Sequence, residues 1–377
     1  MFDSLVTYYD LTRDDQYNGI LTQALKFQLG NNNNFMPVNQ SRSEGNDDQA
    51  TWALAGLSAE EVQIATGNIS YTTVAETVFE DFARRWDNKT CGGGLRWQIF
   101  PFNNGYDFKN TASNGNFFQL AARLAQNSRN ATYKEWATKT FEWTQTVGLM
   151  DDDWNVFEGA MTTDNCEQLN KIQWSPTAGT YIAGAASMYN ATGGDQVWKA
   201  RLDGLLNRTL ENFFPDGIAT ETACEPQNRC NSDQTAYKGL LARQLVDTIQ
   251  AAPYTADRLR PVLIKSAKGA AAACDASGLE CGLKWSETSS DPSGLGQSLG
   301  ALGFVQALLL WDDSRNATGG AGNATTPGAS TSGNGTNKTG SSGAATSSKT
   351  SGASTFSFGS AGNIVVGAFA LFTFLAL

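Results

Sequence analysis

The sequence predicts an all-α protein, an (α/α)6 toroid built from antiparallel helical hairpins. Apolar residues recur at helical spacing, alternating strand-like runs are scarce, and a degenerate hairpin pattern repeats near residues 8–17, 124–136 and 188–198. In each repeat an apolar helix ends, a polar turn follows, and an aromatic residue begins the next helix. Six such pairs closing on themselves would form a ring of twelve helices.

Eleven helices are predicted in order along the chain. Their buried faces follow the three-and-four residue step that Phe117, Leu120 and Leu124 illustrate. Residues 95–100 are the best strand candidate. Eleven helices are one short of the toroid, and we expect the missing one to lie upstream of Met1. The predicted spans are 2–11, 14–29, 48–66, 70–87, 113–127, 132–147, 176–190, 195–212, 234–250, 257–273 and 294–312.

Three long non-helical stretches, residues 30–47, 87–112 and 151–175, are expected to form a cleft at one end of the inner helices. They are rich in Asn, Gly and Trp, and long loops on a rigid scaffold commonly carry function. The first stretch leads directly into Asp47 and Asp48. Neighbouring residues within a helix point about 100° apart, but at a helix start the leading residue is freer, so both carboxylates can converge.

The Asp47-Asp48 pair has the chemistry of a sugar-cleaving site. One acid can protonate a leaving oxygen while the other attacks or stabilises the anomeric carbon. The chain contains no His, which excludes His-based triads and His-ligated metal sites. The acidic runs at 14–15, 151–153 and 312–313 fit helix starts or solvated surface. The pair at 47–48 differs from them because amide side chains and Trp52 surround it.

Composition limits the partners. A net charge of −10 argues against nucleic acid, since no basic stripe is present to neutralise phosphates. An acidic protein with 10 Trp and many Asn suits neutral polyols. Nothing in the sequence requires a metal or another cofactor, and a monomer is expected.

Cysteines and glycosylation sequons indicate a secreted protein. Short loops favour the pairs Cys224–Cys230 and Cys274–Cys281, leaving Cys91 and Cys166 as a long-range pair, although six cysteines allow fifteen connectivities. Together with these cysteines, ten Asn-x-Ser/Thr sequons point to a glycosylated chain. The sequons are at Asn39, Asn68, Asn88, Asn130, Asn190, Asn207, Asn316, Asn323, Asn334 and Asn337.

The chain is expected to divide into a globular domain at 1–313, a flexible Ser/Thr/Gly-rich stalk at 314–355 and an apolar tail at 356–377. Small residues at 351–353, a spacer and the tail match a GPI-attachment signal, with Ser351 or Gly352 as the attachment residue. A tail-anchored helix is the alternative, but the apolar run at 364–377 is short for a membrane span. No signal peptide is recognisable at the N-terminus, so we expect the chain to start late, inside its first ordered helix. The expected location is the cell surface.

Several ordered motifs carry a family resemblance. The motifs at 35–37, 44–49, 91–98, 105–115, 230–239 and 281–285 resemble glycoside hydrolase family 76, in particular the fungal GPI-anchored mannan endo-1,6-α-mannosidases of the cell wall. The resemblance covers roughly residues 1–312. Two departures are the absence of an upstream Trp-Trp-Glu helix and the presence of Trp174-Ser175-Pro176-Thr177 where many members have Trp-Thr-Tyr-Asn.

The resemblance implies an α/α toroid that cleaves α-1,6-mannosidic bonds with retention. Carried over by motif, Asp47 would be the nucleophile and Asp48 the general acid/base. In the fungal branch the resemblance also implies transfer of the mannan core of GPI glycans onto wall glucan. The expected partners are therefore α-1,6-mannan or the GPI-glycan mannose core, wall glucan as acceptor, and the membrane through the anchor.

Further residues of the motifs are candidates for sugar binding. Arg96, Trp97 and Gln98 follow three glycines that could instead serve a tight turn beside Cys91. A second set of candidates, with directional donors and acceptors for sugar hydroxyls, comprises Asp107, Lys109, Asn110 and Asn114. Asp107 and Lys109 could instead form a local ion pair. Lys238 fits a surface lysine better than a ligand contact. Trp52 and Trp174 could stack on a sugar ring, with at least one of them expected in the core.

Two other functions remain open from the sequence. The chain could be a non-catalytic mannan-binding wall protein that binds oligomannosides without product. It could also be an inverting glycosidase, which needs carboxyl groups about 6.5–9.5 Å apart and a distant partner acid such as Asp107 or Glu158.

Overall fold

The computed structural model describes residues 1–286, 293–311, 355–357 and 363–365. Two compact units are present, Met1–Leu310 and Trp311–Leu377. In the second unit, strands Thr355–Ser357 and Asn363–Val365 pair antiparallel. The rest of the predicted stalk and tail lies outside the described residues, and so do Ser351, Gly352 and the sequons at Asn316, Asn323, Asn334 and Asn337.

All eleven predicted helices are present in the described part of the first unit. The second helix begins later than expected, because the carboxylate of Asp14 accepts hydrogen bonds from the backbone of Gln16 and the hydroxyl of Tyr8 and holds a turn there. The helices are α1 (Phe2–Thr12), α2 (Asn18–Gln28), α3 (Asn46–Glu61), α4 (Tyr71–Arg85), α5 (Thr111–Ser128), α6 (Ala131–Thr146), α7 (Ser175–Ala191), α8 (Gln196–Phe213), α9 (Tyr237–Ala251), α10 (Ala256–Ala272) and α11 (Leu295–Ala307).

The helices form the predicted toroid. The odd-numbered helices make an inner ring in which each packs on the next and α11 packs on α1; the even-numbered helices lie outside them. Connections leaving the inner helices are short, such as residues 129–130 and 192–195, whereas those entering them are long. Short connections make neighbouring helices antiparallel. The N-termini of the inner helices therefore share one end with the three predicted cleft loops and with two further segments, at 214–236 and 273–286.

Glycines allow the inner helices to approach closely. A Cβ on Gly115 of α5 would lie 2.8 Å from the Tyr181 ring of α7, and a Cβ on Gly239 of α9 would lie 2.6 Å from the carbonyl oxygen of Leu299 in α11. Real Cβ atoms do not approach other atoms so closely. Glycine at these helix contacts therefore allows the inner helices to pack closely.

A small sheet lies at the cleft end. Strands β1 (Phe108–Asn110), β2 (Gly159–Met161) and β3 (Leu169–Asn170) pair antiparallel in that order. The prediction of a strand at 95–100 is wrong. That segment is extended, but its backbone bonds to the first turn of α3 and to Phe108 and makes only an isolated bridge between Gly45 and Gln98.

The disulfides are the three predicted pairs, Cys91–Cys166, Cys224–Cys230 and Cys274–Cys281. The six sequons within the described residues all have an exposed Asn, although their occupancy stays a prediction. Searched over the described residues, the helices include none with the length and apolar character needed to cross a bilayer.

Candidate active site

Asp47 and Asp48 lie in the first turn of α3. Oδ2 of Asp48 accepts a 2.8 Å hydrogen bond from the N–H of Gly45, the residue that caps this helix. A side chain at position 45 would collide with Oδ1 of Asp47. Glycine at 45 therefore leaves space for one carboxylate of the pair, and its amide orients the other.

The two carboxyl groups differ in environment. Asp47 is half-buried, and its Oδ1 has no hydrogen-bond partner among the described residues, whereas Asp48 is exposed. Burial and the charge of Asp48 raise the pKa of Asp47 to about 7. The backbone amides of the turn and the indole of Trp97 oppose this rise. One proton therefore remains on the pair up to about pH 7. One protonated acid beside one carboxylate is the state that glycoside cleavage requires.

Backbone contacts fix this turn to the loop before β1. The N–H of Asn46 donates to the carbonyl of Trp97 at 2.9 Å, and its side-chain amide donates to the carbonyl of Arg96 at 2.8 Å. Arg85 of α4 donates to the side-chain oxygens of Asn46 and Gln49 at 2.9 and 2.5 Å. The position of the pair thus depends on two segments that are distant in sequence.

Arg96, Gln98 and Asp107 form the rim of the site. Arg96 makes ion pairs of 2.9 Å with Asp87 and 3.1 Å with Asp107 and lies over the Tyr106 ring. Asp107 is exposed, whereas Gln98 is buried and accepts a hydrogen bond from Asn103. Arg96 and Gln98 border a cavity of about 320 Å³ next to the turn, lined by Asn46, Arg85, Trp86, Asp87, Lys89, Arg96, Gln98, Ile99 and Tyr106.

Three of the predicted sugar ligands lie below this rim. Lys109 has no exposed surface and donates to the carbonyls of Asp87, Thr90 and Gly93 at 3.0, 2.8 and 2.5 Å. Asn110 caps α5 and is buried, and Asn114 is fully buried with its amide bonded to both backbone groups of Leu95.

Backbone groups therefore occupy the side chains of Lys109 and Asn114, and the side-chain oxygen of Asn110 accepts from the N–H of Ser113. Direct sugar contact by these three residues stays a prediction. The local ion pair expected as an alternative does not form. Lys109 lies 3.4 Å from Asp87, and Asp107 pairs with Arg96.

A third carboxyl group lies beside the pair. Glu44 is buried, and its Oε2 has no hydrogen-bond partner among the described residues. Burial and the charge of Asp48 raise the pKa of Glu44 to about 7, while Arg85 lowers it. Asp48 thus has a second acidic neighbour that is partly protonated at neutral pH.

Side chains from α7, α9 and the loop before β2 form a second cluster at the same end of the ring. The indole N–H of Trp174, which caps α7, donates to Oε2 of Glu158. The ring of Trp174 makes an edge contact of 5.6 Å with Tyr237, the first residue of α9. Burial, with the charges of Glu158, Glu221, Asp233 and Asp47, raises the pKa of Tyr237 to about 12. Tyr237 therefore lies within the field of both Glu158 and Asp47.

Comparison with known proteins identifies the family. Residues 1–319 match the model of glycosyl hydrolase family 76. The chain belongs to this family. It is therefore a glycoside hydrolase, and the resemblance drawn from the motifs is confirmed.

Relatives of this family 76 enzyme include two proteins named mannan endo-1,6-alpha-mannosidase DFG5. The one from Candida albicans is 40% identical over 335 residues, covering 85% of this chain and 73% of the relative. The one from Saccharomyces cerevisiae is 39% identical over 319 residues, covering 82% and 70%. The crystal structure of Dfg5 from Chaetomium thermophilum in complex with glucosamine is similar at 38% identity with a TM-score of 0.78, covering 82% of this chain and 79% of that one.

Sequence reasoning on this family 76 enzyme found the acidic pair but missed most of the second cluster. From the sequence, Glu158 is a candidate only for the distant acid of an inverting enzyme, and Tyr237 is only part of the motif at 230–239. Neither Glu44 nor Tyr237 stands out by residue type. The detectable signal was position, since Glu44 precedes the acidic pair and Tyr237 begins an inner helix at the cleft end.

Proposed function

We propose that this family 76 enzyme is a retaining, endo-acting α-1,6-mannosidase or mannan transglycosidase of the fungal cell wall. The observation that carries the proposal is the Asp47-Asp48 pair in the first turn of an inner helix, where the raised pKa of Asp47 keeps a proton up to about pH 7. The names of the Candida and Saccharomyces relatives support the substrate and the bond. Retention suits adjacent residues, whose carboxyl groups can reach the ~5–5.5 Å separation that it requires.

In the first step Asp47 attacks the anomeric carbon while Asp48 protonates the O6 leaving oxygen. The glycosidic C–O bond breaks, a bond from the Asp47 carboxylate to the anomeric carbon forms, and the shortened chain leaves with the Asp48 proton. We assign the attack to Oδ1 of Asp47, which has no hydrogen-bond partner among the described residues.

In the second step Asp48 accepts a proton from the incoming hydroxyl group, which displaces Asp47. Water as the acceptor gives hydrolysis, and a sugar hydroxyl gives transfer. The first step requires the shared proton on Asp48 and Asp47 ionised. The raised pKa of Asp47 keeps one proton on the pair up to about pH 7, and the first step uses that proton from Asp48.

The cellular role that we propose is transfer of the mannan core of GPI glycans onto wall glucan at the cell surface. A GPI anchor attached at Ser351 or Gly352 would hold the enzyme there. The exposed sequons in the globular unit and its three disulfides support an extracellular site of action.

The test uses reducing-end-labelled α-1,6-mannotetraose with products and anomers followed by NMR. The wild type should release shorter oligomers of retained α-configuration, and products longer than the substrate would establish transfer. Asp47→Asn and Asp48→Asn should abolish turnover with unchanged thermal unfolding. Asp152→Asn, which changes an exposed acid of another run, should leave turnover unchanged.

Two results would reject the proposal. Full activity in both acidic-pair variants would exclude Asp47 and Asp48 as the catalytic groups. Saturable mannotetraose binding by the wild type without any product would indicate a mannan-binding protein instead.

A further inference from the structure

We propose that Glu158, with Tyr237 beside it, is the specificity-determining group that binds hydroxyls of the mannosyl ring held over Asp47. The inference rests on the proposed function and adds to it the residue that would distinguish mannose from its epimers. It is carried by the anchoring of Glu158, by the free hydrogen-bonding capacity of the cluster, and by its position relative to Asp47.

The backbone of Glu158 is held on both sides. Its N–H donates to the carbonyl of Ile172 at 2.8 Å, and its carbonyl accepts from the N–H and the hydroxyl of Thr111 at 2.9 and 3.2 Å. Thr111 begins α5, and Asn116 of the same helix donates to the carbonyl of Asp47 at 3.5 Å. The first turns of α5 thus contact both the residue that carries Glu158 and the turn that carries the acidic pair.

The side chain of Glu158 is oriented but not saturated. Oε2 accepts from the indole of Trp174, whereas Oε1 has no hydrogen-bond partner in the described part of the chain. Glu158 is half-buried, so Oε1 is available to a ligand. Burial raises the pKa of Glu158 from its usual range, and the Trp174 indole opposes that rise.

Tyr237 complements this acceptor with a donor. Its hydroxyl makes no hydrogen bond within the described residues, and its pKa of about 12 keeps it protonated at physiological pH. The edge contact with Trp174 fixes the ring. A carboxylate oxygen and a phenol on one wall can engage neighbouring sugar hydroxyls, one accepting and the other donating.

A wall with these two groups selects sugars by the configuration of their hydroxyl groups. Mannose and glucose differ in the orientation of a single hydroxyl, and a site built to hydrogen-bond one arrangement leaves buried polar groups unpaired with the other. The charged acceptor makes the stronger bond of the two groups. Glu158 should therefore contribute more to discrimination than Tyr237.

The experiment measures binding in the Asp47→Asn background, where the sugar is not consumed. Calorimetry compares α-1,6-mannotriose with isomaltotriose, the α-1,6-linked glucose analogue. Adding Glu158→Gln should weaken mannotriose binding on the order of 10- to 100-fold and reduce the preference over isomaltotriose. Adding Glu167→Gln, which changes an exposed acid of the same loop, should change neither. Tyr237→Phe keeps the ring and should produce a smaller loss in the same direction.

Two outcomes would overturn the inference. Unchanged affinity and preference in both Glu158→Gln and Tyr237→Phe would overturn it. If Glu158→Gln on the otherwise wild-type enzyme abolishes mannotetraose turnover as completely as Asp47→Asn while mannotriose affinity is unchanged, Glu158 is a catalytic acid and the inference is also overturned. Failure of the wild type to cleave mannotetraose would reject the proposed function, and the binding comparison would still report on Glu158 separately.

Discussion

The backbone N–H of Asn46 donates a 2.9 Å hydrogen bond to the backbone carbonyl of Trp97. This bond joins the start of α3 to the loop before β1. Since both partners are main-chain groups, this bond does not depend on the identity of the Trp97 side chain. The indole is then free to affect electrostatics, and it lies beside the Asp47 carboxyl and lowers its pKa.

The first prediction concerns pH. Cleavage requires one proton on the pair, and the raised pKa of Asp47 keeps that proton there up to about pH 7, so kcat/KM should fall as pH rises above it. In Trp97→Phe the aromatic ring remains but the N–H is lost. Because that N–H lowers the pKa of Asp47, the alkaline limb of the pH–rate profile should move to higher pH.

Glu44 is the internal control for that limb, since its own pKa is also about 7. Glu44→Gln should keep an alkaline limb. Disappearance of the limb in Glu44→Gln would assign it to Glu44 and contradict the prediction for Asp47.

The helices could be predicted from sequence because their apolar spacing is local, and the ring followed from their number. The burial of individual polar side chains could not be predicted in this way. Lys109, Asn114 and Lys238 look like surface or ligand residues by type, yet Lys109 bonds to three loop carbonyls and Lys238 forms a buried 3.1 Å ion pair with Glu225. These environments exist only once distant segments have packed together.

The acidic pair could be predicted from local sequence, whereas the cluster of Glu158, Trp174 and Tyr237 could not. Asp47 and Asp48 are adjacent in sequence, so their proximity needed only a helix start. Glu158, Trp174 and Tyr237 come from separate segments, and no local pattern records that α5, α7 and α9 bring them to one end of the ring. The segment 95–100 differs from the predicted strand for a related reason, because its backbone partner Asn46 is distant in sequence.

The second prediction concerns Lys109 and stability. Lys109→Met should lower the free energy of unfolding by about 3–5 kcal/mol, because it leaves Asp87 and three carbonyls without their buried cation. Lys89→Met changes an exposed lysine of the same loop and should stay within about 0.5 kcal/mol of wild type. Denaturant unfolding measures both. Equal stability of the two variants would contradict a structural role for Lys109.

The third prediction ranks two disulfides by the chain length that they close. Cys91–Cys166 spans 75 residues and Cys224–Cys230 spans 6. Closing the longer loop removes more entropy from the unfolded chain, so replacing the first pair by Ala should cost roughly 4 kcal/mol and the second roughly 2 kcal/mol. Chemical unfolding of the deglycosylated variants tests the order. A larger loss for Cys224–Cys230 would show that local packing outweighs loop closure.

The last prediction separates the roles of Asp47 and Asp48. An α-1,6-mannobiosyl fluoride needs little acid assistance, so azide can rescue either alanine variant with this substrate. In Asp47→Ala, azide replaces the missing nucleophile in a single displacement and should yield the β-mannosyl azide. In Asp48→Ala the glycosyl-enzyme still forms, and azide displaces Asp47 from it in a second inversion. That variant should yield the α-azide.

The anomer of the azide product therefore distinguishes three mechanisms. Exchanged anomers would make Asp48 the nucleophile and Asp47, whose pKa is the raised one, the general acid. Absence of the α-azide from both variants would mean that no glycosyl-enzyme forms, as in an inverting enzyme with a distant second acid. Asp152→Ala should form no azide product, because its catalytic pair is intact and water remains the normal acceptor. Since retention needs two displacements at one carbon, an α-azide from Asp48→Ala alone requires Asp47 to be the covalent partner.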